Sequence, residues 1–155
     1  MRRCWSAGIG AALVLAVFAV ASAHEADSKL PAGPIRDRHH LMEGIGKNAK
    51  TIGDAMKVSN FAPVGGAAEA IAADAAKVVS LFPPGSTDPH SRAKPEIWQD
   101  WSKFEAGADR MQKNAAALAT TAKDGGDVRA AAKALFDTCK GCHDQFRVPE
   151  KNKPA

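Results

Sequence analysis

Asp127-Val128-Arg129-Ala130-Ala131-Ala132-Lys133-Ala134-Leu135-Phe136-Asp137-Thr138-Cys139-Lys140-Gly141-Cys142-His143-Asp144-Gln145-Phe146-Arg147 is the stretch that decides how this chain folds. Val128, Ala132, Leu135, Cys139, Cys142 and Phe146 recur at alternating steps of four and three, which is the apolar stripe of an amphipathic helix. Asp127 suits the N-cap and Pro149 stops the helix. The stripe runs through both cysteines, so the thiols face the interior. Two thiols three apart followed at once by an imidazole form the attachment signature of c-type haem. Residues three apart share a helix face, so Cys139 and Cys142 can each add to a porphyrin vinyl group while His143 turns a ring nitrogen to the iron. Gly141 leaves the macrocycle room to approach. A C-x-x-C pair also serves as half a zinc site or a thioredoxin-like redox pair. Zinc would want two more Cys or His ligands, and a redox pair would want a βαβ context. Neither is present, so the expected cofactor is one covalently bound haem c per chain.

Upstream of this helix, Lys123-Asp124-Gly125-Gly126 breaks the pattern, and before it lies the longest stripe: Ile97, Trp101, Phe104, Ala108, Met111, Ala115, Leu118 and Ala122. Pro95 opens that helix, and Trp98 and Trp101 are expected in the core. Residues 85–94 carry no periodicity and read as a long surface loop. Val64, Ala68, Ile71, Ala75, Val78 and Phe82 give another helix, stopped by Pro83-Pro84-Gly85. The first helix follows Pro34, with Arg38, Met42, Ile45, Ala49, Ile52 and Met56 as its stripe. Gly44, Gly46 and Gly53 weaken it by roughly 1 kcal/mol each relative to Ala, which suggests close approach to something bulky such as a flat macrocycle. Four helices with one apolar stripe each, and no alternating strand pattern, predict an all-α, up-down-up-down antiparallel four-helix bundle with covalently attached haem. Its alanine-rich stripes would be thin without a haem to fill them.

The chain has 155 residues, the length of one domain. Residues 1–23 read as a cleaved export signal: Arg2 and Arg3 are basic, Ile9 to Val20 is apolar but too short to span a membrane, and Ala21-Ser22-Ala23 is an A-x-A cleavage site. The mature domain is then 24–155, and Cys4 leaves with the signal. Haem c is joined to its protein on the far side of the bacterial inner membrane, so signal and motif agree on the periplasm, with no membrane insertion after cleavage. Removing Arg2 and Arg3 lowers the basic count from 21 to 19 against 17 acids, too slight an excess to suggest nucleic acid.

Four features in order resemble the class II cytochromes c, namely cytochrome c′ and its low-spin relative cytochrome c-556. They are Arg38-x-x-x-Met42, Leu81-Phe82-Pro83, Pro95-Glu96-Ile97-Trp98, and Cys139-x-x-Cys142-His143-x-x-Phe146-Arg147, with the haem motif at the end of the last helix. The resemblance implies thioethers at Cys139 and Cys142 and His143 as the proximal ligand. It further implies Arg147 one turn beyond on the proximal side, Arg38 near the haem, and Met42 at the distal position. In cytochrome c′ that position usually holds a non-ligating residue and the iron is five-coordinate; in cytochrome c-556 a methionine there binds the iron. Members of the family often pair through their first two helices, which makes a homodimer an expected assembly.

The leading expectation is a periplasmic one-electron carrier with His143 and Met42 as axial ligands, exchanging electrons with other periplasmic redox proteins. The alternative is a five-coordinate haem that binds NO or CO under Met42, with incidental peroxidase chemistry a weaker third. His39, three residues before Met42, is a weaker rival ligand, and His90 has no claim on the iron from its loop. Lys133, Lys140, Arg147, Lys151 and Lys153 suggest either a basic docking patch or a merely solvated face. No Ser-His-Asp, paired-carboxylate or phosphate-loop arrangement points to an enzyme.

Overall fold

Pro34 sets the fixed φ of a first helical turn, and α1 runs from it through Pro34–Val58 in the computed structural model, which describes residues 30–149. The expected signal, 1–23, and the lysines at 151 and 153 lie outside the described residues. α2 spans Val64–Ala75, the short α3 Glu96–Gln99, α4 Trp101–Asp124 and α5 Val128–Phe146, so the four predicted bundle helices are all present. Gly125 caps α4 at φ 76°, the left-handed conformation that releases a helix end without a Cβ clash. The Asp127 side chain then caps α5, accepting from the Ala130 N–H at 3.0 Å.

The structure departs from the expected boundaries at two places. The second helix does not continue to Phe82: after Ala75 the chain tightens into i→i+3 bonds and a 3₁₀ turn at Val79–Leu81. The β-branched pair Val78-Val79 followed by Ser80 has poor helix propensity, and the tighter winding turns both Val78 and Phe82 into the core. The third predicted helix breaks at Asp100 (φ −112°, ψ 44°), separating α3 from α4.

Ile45, Ile71, Phe104 and Leu135 are all buried, as their stripes predict. The alanines serve a different purpose from the expected one. Ala67, Ala68, Ala75, Ala115 and Ala119 bring α2 and α4 close, and a Cβ on Gly65 would stand 3.9 Å from both the Ala119 carbonyl and the Ala122 methyl. This small-residue packing closes one side of the bundle without any cofactor. On the other side α1 and α5 scarcely touch. Trp98 and Trp101 are half-buried, with Trp98 Nε1 donating to the Phe82 carbonyl at 3.2 Å and the Pro83 carbonyl at 3.1 Å. Leu135 is 0% exposed, so Leu135→Ala should cost about 2–5 kcal/mol, read as a lower denaturant midpoint at unchanged slope.

Candidate haem site

The gap between α1 and α5 holds a cavity of about 850 Å³, within the size range of cofactor sites. α5 contributes Cys139, Cys142, His143, Phe146 and Arg147; α1 contributes Arg38, His39, Met42, Ile45 and Gly46; α4 contributes Phe104, Ala108 and Met111. Every site residue named from the sequence therefore lines one cavity. Their arrangement follows from helix periodicity: Arg38 and Met42 lie four apart on one face of α1, and Cys139, Cys142 and Phe146 share one face of α5.

Phe104 anchors the cavity's aromatic wall, with its ring centroid 4.7 Å from that of Phe82, 5.5 Å from Trp101 and 5.6 Å from Phe146, the last pair edge-on at 90°. Cys139 and Cys142 are unbridged and half-buried. Burial pushes both thiols up; at Cys142 the neighbouring Cys139 adds to the rise and Arg110 opposes it. His143 is pushed down, first by burial and then by Arg147 and Arg92, with Asp144 opposing. Its neutral imidazole, the form that ligates a metal, is thereby favoured. The site fits haem c by its chemistry: two free thiols and a neutral imidazole on one helix end, facing an apolar cavity. Gly107 of α4 faces the same thiol, with the position of its missing Cβ 3.8 Å from Cys142 Sγ.

Arg38 is 4% exposed and its acceptors are all neutral. It donates to Ser86 Oγ at 2.8 Å, the Ser86 carbonyl at 2.7 Å and Ser91 Oγ at 3.1 Å, with a longer contact to the Leu81 carbonyl at 3.4 Å. Its guanidinium sits 4.6 Å from the centre of the Phe82 ring. Burial pushes its pKa down and the carboxylate of Asp88 pushes back through space.

Two expectations from the sequence are corrected. Of the glycines on α1 only Gly46 faces the cavity; Gly44 faces α2, where a Cβ would meet Asp74 Oδ2 at 3.6 Å, and Gly53 lines a separate small groove. Residues 85–94 are more than a surface loop, since His90, Ser91, Arg92 and Ala93 form part of the cavity wall. Sequence reasoning passed over them because a loop carries no periodicity. For two members of the basic cluster the solvated-face reading holds: Lys133 pairs with Asp137 at 2.6 Å, and Lys140 pairs with Asp144. The i,i+4 spacing of those pairs was the sequence signal for this.

The family model described as Cytochrome C′ matches residues 33–147. The chain belongs to that family. Cytochrome c′ of Rhodopseudomonas palustris is 32% identical over 118 residues, covering 74% of this chain and 81% of the relative. A solved structure of cytochrome c′ from that organism superposes with a TM-score of 0.69 at 31% identity, over 77% of this chain and 99% of that one. Cytochrome c-556 of Agrobacterium fabrum is 31% identical over 121 residues, 76% of this chain and 82% of the relative. A nitric oxide complex of a cytochrome c prime variant from Alcaligenes xylosoxidans is similar at 26% identity and TM-score 0.63, over 76% of this chain and 98% of that one. The cytochrome c′ family carries covalently attached haem c, so the antiparallel four-helix bundle and its cofactor are those of a c-type haem protein.

Proposed function

We propose that the chain is an exported periplasmic haem c protein, not an enzyme, that binds nitric oxide or carbon monoxide. Cys139 and Cys142 carry the thioethers, His143 is the proximal ligand, and Arg38 and Arg147 stand near the haem. Haem c when bound supplies an iron that changes oxidation state and accepts a diatomic ligand. The observation that carries the reading is the cavity along the seam where α1 and α5 scarcely touch, which offers a small ligand space among alkyl, aryl and thioether groups. The alkyl and aryl part of the wall favours a small, nearly apolar ligand. The relatives named cytochrome c′, one of them solved with nitric oxide, support this reading over the electron carrier expected first. Among the described residues no helix is long and apolar enough to cross a membrane.

A second reading, the one-electron carrier with His143 and Met42 as axial ligands, draws support from Met42 in the cavity wall and from the c-556 relatives. Absorption spectra of the purified protein separate the two. A high-spin ferric spectrum and ready carbon monoxide uptake by the ferrous form are expected. A low-spin ferric spectrum with a weak long-wavelength sulfur-to-iron band would replace the gas-binding reading by the carrier.

A further inference from the structure

Residues 85–94 cross one end of the cavity, between the first turns of α1 and the last turn of α5. At the α5 side the crossing segment is fastened by backbone: the Val148 N–H donates to the Arg92 carbonyl at 2.8 Å and the Lys94 N–H to the Phe146 carbonyl at 3.0 Å. The Arg92 side chain adds two bonds to the Val148 carbonyl, at 2.9 and 3.0 Å. Between Pro83 and Ser91 the backbone makes local turn bonds, such as Ser86 N–H to the Pro83 carbonyl and Ser91 N–H to the Asp88 carbonyl. That half of the segment is joined to α1 by Arg38, through Ser86 and Ser91.

We propose that Arg38 is the clasp of a strap, residues 85–94, that seals this end of the cavity, and that it thereby sets how fast small ligands and water enter. A planar fork of donors is what the position requires. Ser86 Oγ, the Ser86 carbonyl and Ser91 Oγ are reached from two different guanidinium nitrogens. A lysine carries the same charge on a single nitrogen and cannot span them. Burying a cation among neutral acceptors is costly unless each of its bonds is made, which holds the guanidinium to the strap. Arg38 also stands one helical turn before Met42, so the clasp is anchored to the face of α1 that lines the cavity.

The role is that of a positioning residue, and it rests on the haem reading only for the gas-entry half of its test. Hydrogen exchange is measured on the holoprotein for the wild type, Arg38→Lys, and Ser86→Ala with Ser91→Ala. The second variant leaves the buried charge in place. Amides of residues 86–92 should exchange about ten- to a hundredfold faster in both variants, the range given by losing one or two buried hydrogen bonds, while α2 and α4 stay protected. Carbon monoxide association with the ferrous form should rise in the same variants. Strap exchange like the wild type, or a rise spread evenly over all helices, would overturn the clasp. A loosened strap with unchanged carbon monoxide rates would overturn the seal. The exchange result holds whichever ligand occupies the iron, so its failure is distinct from a failure of the gas-binding reading.

Discussion

Replacing Cys139 and Cys142 together by Ser should leave almost no holoprotein, whereas the wild-type chain should retain haem after denaturation and acid-acetone extraction. The two thiols line the cavity from one face of α5 and are not bridged to each other, so both are free to bond a macrocycle. Without that bond a cavity of about 850 Å³ between α1 and α5 has nothing covalent to fill it. The double variant should therefore also lose helicity and unfold at lower denaturant than the holoprotein, because a ligand bound to the native state alone stabilises it by mass action. Intact mass of the wild-type protein from a periplasmic extract should equal the chain from His24 plus one haem, which tests the export reading in the same measurement. A mass retaining Met1 would refute export; haem that extracts freely from the wild type would refute the thioether assignment.

Met42→Ala should leave the ferric iron high-spin and change carbon monoxide association by less than about tenfold, equivalent to about 1.4 kcal/mol, through the added room alone. The expectation follows from the proposed five-coordinate iron, for which Met42 is a wall and not a ligand. If the thioether binds the iron, the outcome is different in kind: the wild type starts low-spin, and the substitution converts it to high spin and opens it to carbon monoxide by well over that factor. His39→Ala is the control, since His39 lines the same cavity but sits beside Glu43, 3.6 Å from its carboxylate, at the partly exposed start of α1. Its spectrum should match the wild type.

The pairing of Lys133 and Lys140 on α5 bears on electron-transfer partners as well. Lys133 and Lys140 are each paired to an aspartate on the next turn, so these two lysines add no net charge to that face. Exposed pairs of this kind contribute well under 1 kcal/mol and are screened by salt, so they offer little long-range steering to an acidic partner.

What the sequence determined by itself was whatever depends on neighbours along the chain. The four-three stripes located every bundle helix and buried Ile45, Ile71, Phe104 and Leu135, because helical period is a local property. The spacing of Cys139, Cys142 and His143 named the cofactor for the same reason, and Pro34 and Asp127 marked helix starts through their own backbone and side-chain chemistry. Only the tertiary structure decided which side of each helix meets which neighbour. Gly44 and Gly46 lie two apart on α1, yet one faces α2 and the other the cavity. The alanines proved to be the means by which α2 and α4 approach, and the loop with no pattern proved to be a wall. Arg38 and Ser86 are 48 residues apart, and Arg92 and Val148 are 56. Contacts at such separations leave no period in the chain; they arise when the packed helices bring a buried guanidinium and the unpaired acceptors of a loop to the same place, where each must be satisfied by the other.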